Sequence, residues 1–196
     1  CQIGDMAFDF ILGKIAPAIS EKELAFELEF FIRKNGGELS FPTIAAFEEN
    51  AAVPHHHTGQ RKLKKNEAVL LDFGVKYENY CSDMTRTVFM GKADTGRKKI
   101  YETVLEAQIK AAETISKGLN DENKFRASEA DKMARQIITG KGYPTIPHSL
   151  GHGIGLEVHE RPWLSKGSDD FLGEGMVFSI EPGIYLPEEI GEKTKT

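Results

Sequence analysis

The chain has 196 residues, 40% of them apolar and 28% charged, with a formal net charge of −5. That size suits one large domain or two closely packed halves. Scattered lysines argue against a nucleic-acid platform, and no apolar stretch approaches the ~20 residues of a membrane span.

Two cysteines, Cys1 and Cys81, make no disulfide framework, which suits a reducing, cytoplasmic setting. The chain opens on Cys rather than Met, at once in an amphipathic helix, CQIGDMAFDFILGKI, and stops in the polar run EEIGEKTKT. Both ends read as cut, so a fragment of a longer protein is expected.

Ser20 and Glu23 form a capping box at the head of a second helix, EKELAFELEFFIRKNGG, which stops at Gly36 and Gly37. LSFPTIAAF reads as a strand interrupted by Pro42. The loop AAVPHHHTGQRKLKKNE follows, then a β-hairpin over residues 67–88. A long helix covers ADTGRKKIYETVLEAQIKAAETISKG, with apolar positions at Ile100, Val104, Ala107, Ala111 and Ile115, and another fits Ser128 to Thr139. GYPTIPHSLGHGIGLEVHERPWL is expected to be largely irregular, and EGMVFSIEPGIYL a strand closed by a Pro-Gly turn. A helix pair followed by strands thus occurs twice. This gives an α+β class built of two similar halves whose strands can share one curved sheet. No GxGxxG or GxxxxGK fingerprint follows a strand, which weighs against a doubly wound nucleotide-binding sheet.

The hairpin LLDFGVKYENYCSDMTRTV carries two aspartates in otherwise apolar strands. Centring its turn between Tyr77 and Glu78 sets Asp72 directly opposite Asp83, with Cβ atoms ~4.5–5.5 Å apart. Like charges so placed repel unless something positive lies between them. One divalent cation does this, and a pair of cations ~3.5–4 Å apart does it better. The plainer alternative is that one or both aspartates face solvent at a turn or sheet edge.

Six histidines fall in two clusters, His55, His56 and His57, then His148, His152 and His159. In PHSLGHGIGLEVHE the glycines permit close backbone approach to a bound group, so at least one histidine is expected to ligate metal or transfer protons. Of the PHHHTG triplet, one histidine is expected to point inward and two to be bystanders. Glu181 ends the strand VFSIEPGIY. With the two aspartates and the histidines it completes an oxygen-and-imidazole set suited to Mn²⁺, Co²⁺, Zn²⁺ or Fe²⁺.

LLDFG…YCSDMTRTVFMG, HSLGHGIGLEVHE and GMVFSIEPGIY together resemble the catalytic domain of the creatinase and aminopeptidase P group, the "pita-bread" metallopeptidases. The resemblance runs from about residue 3 to Gly191. SDMTRTV with HSLGHGIG…HE is closest to the Xaa-Pro aminopeptidase and Xaa-Pro dipeptidase (prolidase) members. It implies that residues 1–196 are a partial catalytic domain, lacking a preceding non-catalytic domain and the final strands. It also implies two divalent metals, manganese first, with Asp72 on one, Asp83 bridging both, and His152 and Glu181 on the other.

By the same resemblance, a bridging hydroxide attacks the bond before a proline at the second position of a short peptide. Glu181 serves as general base and then acid, and His159 steadies the carbonyl. His55 (the inward histidine of the triplet on this view) and His148 line the pocket, and Thr85 orients ligands from behind. Arg86 is expected to be a structural ion-pair residue. The full-length protein is expected to be cytoplasmic and a homodimer, with no nucleic-acid or membrane partner. One departure stands out: the family's last bridging glutamate falls near position 195, where this sequence has EKTKT. Methionine aminopeptidase, or a non-catalytic binding module that lacks that glutamate, are the alternatives.

Overall fold

The computed structural model describes residues 1–122 and 125–186, with the side chains of residues 121 and 122 left out of the description. The chain divides into two compact units, one of Cys1–Asp94 with Tyr185 and Leu186, the other of Thr95–Ile184.

In the first unit, α1 (Gln2–Leu12) and α2 (Glu21–Lys34) precede short strands β1 (Glu38–Leu39) and β2 (Ile44–Phe47) and a 3-10 turn (Glu48–Ala52). The hairpin then supplies β3 (Ala68–Phe73), β4 (Val75–Tyr77), β5 (Tyr80–Cys81) and β6 (Met84–Phe89). The capping box is present as expected: the Ser20 hydroxyl accepts from the Glu23 amide, and the Glu23 carboxylate accepts from the Ser20 amide. It satisfies donors that the first turn of α2 leaves without helical partners.

Two antiparallel three-stranded sheets form, ordered β2-β3-β6 and β1-β4-β5. Residues alternate strictly along β3: Val69, Leu71 and Phe73 are buried against Ala7, Ile11, Leu24, Leu28 and Ile32 of the helices. Leu70 and Asp72 therefore take the opposite face, since successive strand residues point to opposite sides. Arg86 pairs with Leu71 on the helix side and lies over the Phe8 ring at 5.8 Å, in a cation–π contact.

The hairpin register differs from the expectation. Asp72 pairs with Thr85, not with Asp83. The reason is the turn. Glu78 and Asn79 both adopt left-handed backbone conformations, with φ of 50° and 70°, and close a two-residue loop between the paired Tyr77 and Tyr80. The turn centre thus sits one residue later than expected, and every cross-strand partner moves by two. Asp83, one residue before β6, becomes a diagonal neighbour of Asp72, a spacing of ~7–8 Å rather than direct opposition.

In the second unit, α3 (Thr95–Glu122) and α4 (Ala127–Gly140) pack through small side chains, Ala107 and Ala111 with Ala130 and Ala134, and enclose Ile115, Ile138, Ile146, Leu150, Leu164 and Leu172. β7 (Phe125–Arg126) pairs with β10 (Phe171–Leu172), and β8 (Gly151–Gly153) with β9 (Glu160–Leu164), both antiparallel.

The segment expected to be irregular thus contains two strands. EGMVFSIEPGIYL, expected as a strand, runs extended along the other edge of β8. There Ile154 donates to Val177, Ser179 to His152 and Glu181 to Leu150, through backbone bonds of 2.8–3.0 Å. β8 is therefore flanked on both sides, which explains its glycines. A Cβ on Gly151 would lie 2.0 Å from the Ser179 carbonyl oxygen, and one on Gly153 would lie 2.2 Å from that of Arg161. They admit neighbouring backbone.

Among the described residues no helix is long and apolar enough to cross a membrane.

Candidate metal centre

Asp72 lies on β3 with Asp83 just before β6, and His152 lies on β8 with Glu181 on the segment that flanks it.

In the first unit, the register that pairs Asp72 with Thr85 brings the Thr85 hydroxyl to Asp72 Oδ1, to which it donates at 3.1 Å. A threonine directly across from an aspartate fixes one carboxylate oxygen and leaves the plane of the group defined. Asp72 and Asp83 are both half-buried. Gly74 allows the hairpin to close tightly beside them: a Cβ there would stand 2.1 Å from the Ser82 carbonyl oxygen.

The histidine triplet departs from expectation. His55 is exposed and left-handed, with φ of 55°, whereas His56 is the one turned into its unit. The cause is a buried carboxylate. Glu21, 0% exposed, accepts from the amides of Phe47 and Gly59 at 2.9 Å, from Asn50 Nδ2 at 2.8 Å and meets His56 Nε2 at 3.0 Å. Burial alone raises the Glu21 carboxyl, but the bonds from Asn50, His56, Phe47 and Gly59 outweigh it and hold it below the ordinary carboxylate range.

In the second unit, His152 is 5% exposed on β8. Its Nδ1 lies 3.0 Å from the Gly153 carbonyl, which can only accept, so Nδ1 carries a proton. In the neutral ring Nε2 then holds the lone pair, and Nε2 lies 3.1 Å from Glu181 Oε1. Two acceptors at that separation need a proton or a cation to join them. Ser179 adds a second tie: its hydroxyl accepts from the His152 amide and donates to the same Glu181 Oε1 at 2.7 Å. Burial by itself raises the Glu181 carboxyl. When the His152 ring is protonated on both nitrogens, its hydrogen bond and that of Ser179, with the charges of His152 and His148, prevail and draw the carboxyl below the ordinary range.

His159 is exposed and stands edge-on to His152, ring centroids 4.3 Å apart. His148 is half-buried, its Nδ1 2.7 Å from the Ser149 carbonyl, which assigns the proton to Nδ1 there too.

Sequence reasoning overlooked three kinds of supporting residue. Ser179 was findable, because it precedes Glu181 by two positions and so shares its face of an extended segment. Asp131 and Arg135 sit four apart on one helix, a spacing that favours pairing. Glu21 gave no signal, since its neighbours Ser20 and Glu23 already accounted for the helix start. The positions around 195, where a last glutamate was expected, lie outside the described residues.

A model of metallopeptidase family M24 matches residues 1–194. The chain belongs to that family.

This M24 chain is 41% identical over 190 residues to the Xaa-Pro dipeptidase of Pyrococcus horikoshii, a match covering 96% of the chain and 52% of the relative. Among solved structures, it is similar to the Xaa-Pro dipeptidase from Bacillus anthracis, at 44% identity and a TM-score of 0.89, covering 95% of this chain and 52% of that one. It is equally similar in fold to the X-Pro aminopeptidase from Thermotoga maritima, at 39% identity, a TM-score of 0.89 and the same coverage. These likenesses bear out the α+β pita-bread fold and the kinship with the Xaa-Pro peptidases. The M24 chain spans about half the length of the curated relatives it matches.

Proposed function

We propose that the protein is a metal-dependent exopeptidase that hydrolyses the bond before proline at the N-terminus of short peptides, as an Xaa-Pro aminopeptidase or dipeptidase. Its ligands on this reading are Asp72, Asp83, His152 and Glu181, for two divalent ions, with manganese the first choice and cobalt, zinc or iron the others.

The observation that carries the reading is the pairing of His152 Nε2 with Glu181 Oε1 at 3.1 Å, with the Nδ1 proton committed to Gly153. A lone-pair nitrogen and a carboxylate oxygen converge where a cation fits both. The first unit supports the reading independently, through an oriented Asp72. Oxygen and imidazole donors without a cysteine partner suit the harder divalent ions.

Divalent metal at such ligands supplies Lewis acidity, making water a nucleophile near neutral pH. The chain's own groups do the rest. Glu181, a carboxylate at neutral pH, accepts a proton and returns it to the leaving prolyl nitrogen. His159, exposed beside His152, donates to the scissile carbonyl. His55 and His148 contact the substrate at its proline end. Thr85 holds Asp72 in orientation. Short peptides are the partners, because a free amine recognised near the carboxylates spares internal bonds.

The test compares Ala-Pro with Met-Ala-Ser as substrates of the protein supplied with Mn²⁺. Cleavage of Ala-Pro that is abolished by chelation is expected. Cleavage of Met-Ala-Ser alone would overturn the Xaa-Pro reading in favour of a methionine aminopeptidase. Cleavage of neither would favour a binding module.

A further inference from the structure

We infer that Arg135, anchored by Asp131, is a positioning residue for His148. The inference rests on the proposed reading of His148 as a substrate contact.

The segment Gly142–Leu150, GYPTIPHSL, has no helix and no strand in it. Pro144 and Pro147 have no amide hydrogen to give, and with no helix or strand over these residues their carbonyls find partners elsewhere. One turn of α4 provides them. Arg135 Nε and Nη2 donate to the two oxygens of Asp131 at 2.7 and 2.9 Å, a bidentate pair whose carboxylate is 1% exposed. The outer edge of the same guanidinium reaches into the segment. Nη1 donates to Thr145 Oγ1 at 3.1 Å and to the Ile146 carbonyl, and Nη2 donates to the His148 carbonyl at 2.6 Å. Asp131 Oδ1 also accepts from the Leu150 amide at 3.2 Å.

The grip continues past the loop. Leu150, fully buried, accepts from the Glu181 amide at 2.8 Å, so one residue is tied to α4 by its nitrogen and to the Glu181 segment by its oxygen. His148 lies between two held points, its own carbonyl and the Leu150 amide, with its ring further fixed by Nδ1 on Ser149.

An ion pair placed this deep is a weak source of stability, because desolvating two charges offsets most of their attraction. What a planar fork provides in addition is geometry: its donors lie in one fixed plane and can serve carboxylate and carbonyls together. Lysine keeps the charge near Asp131 but is a point donor that cannot span Ile146 and His148. The predicted consequence of losing the fork is a misplaced His148 ring in a chain that still folds.

The experiment uses the whole protein with Mn²⁺, Ala-Pro as substrate, and the variants Arg135→Lys, His148→Ala and their combination. Arg126→Lys, which alters an exposed ion pair with Asp169, is the control. Arg135→Lys is expected to raise KM about tenfold while kcat changes less than about threefold, the signature of a lost binding contact. In the His148→Ala background the same change is expected to add nothing, because it acts through that ring.

Fully additive effects, or an unchanged KM, would overturn the inference. Asp131→Asn, which keeps the shape of the side chain, serves as the second variant and is expected to show the same non-additivity. If the wild type does not cleave Ala-Pro, the proposed function fails on its own. The clamp is then judged by the His148 ring resonances in Arg135→Lys: a shift, with faster amide exchange at 148–150, supports it, and unmoved resonances overturn it.

Discussion

Thr85 donates its hydroxyl to Asp72 across a register that pairs these two residues directly, at 3.1 Å. A carboxylate held by one oxygen presents the other in a set direction. Under the proposed function Asp72 is a metal ligand, and partners that orient metal ligands carry about 10–100-fold in metal affinity. Thr85→Val keeps the branched shape favoured in strands but removes the donor. It is expected to weaken manganese binding about tenfold, while Thr85→Ser stays near wild type. Metal titration followed by calorimetry checks this, and equal affinities for Val and Ser would remove the role given to the hydroxyl.

Glu21 makes the first unit sensitive to acid. Its carboxyl titrates below the ordinary range, so its contribution to stability is complete above the unfolded value and is lost as pH falls through the folded one. Glu21→Gln is expected to flatten that acid-side loss. Glu21→Ala, which strips the acceptor from Phe47, Asn50, His56 and Gly59, is expected to cost about 3–5 kcal/mol at neutral pH. Urea midpoints measured from neutral pH to well below 4.5 decide both, and parallel pH curves for wild type and Gln would contradict the assignment.

Gly151 is expected to tolerate no side chain. A Cβ placed 2.0 Å from the Ser179 carbonyl must push the flanking segment away, and that carbonyl is backbone rather than a flexible tip. Gly151→Ala is expected to destabilise the protein by more than about 2 kcal/mol, in the range of overpacked interiors. Gly140→Ala has open space around it and is expected to be close to neutral or better. Thermal unfolding of the two variants separates them.

His152→Ala is expected to lose both metal and activity. His152→Gln, which keeps a polar end but no imidazole lone pair, is expected to do the same, because the ring nitrogen rather than simple polarity faces Glu181. Metal content after dialysis against Mn²⁺ is the measurement, and a Gln variant that retains wild-type occupancy would count against His152 as a ligand.

Much of the architecture could be read from residues alone where local chemistry is self-contained. Ser20 and Glu23 needed only each other to cap α2, and the apolar spacing of Ala107, Ala111 and Ile115 needed only the helical repeat. Reading failed where the partner is distant or the conformation uncommon. Left-handed Glu78 lacks the glycine that ordinarily marks such a turn, so the pairing was misplaced by two. His55 and His56 cannot be told apart without knowing that Glu21, over thirty positions away, takes the second. In PHSLGHGIGLEVHERPWL the strand β8 is short and glycine-rich. What makes it a strand is the backbone packed against it on both sides, which periodicity does not register.

The Glu78–Asn79 turn has a consequence for which changes of length the protein can survive. Strand faces alternate with every residue, so a one-residue slip of β6 against β3 would turn Thr85 toward α1 and α2. Residues added between Glu78 and Asn79 lie outside the ladder and enlarge only the loop, leaving the Tyr77–Tyr80 pair to close it. Insertions at this tip are therefore expected to be tolerated as long as Asp72 still faces Thr85.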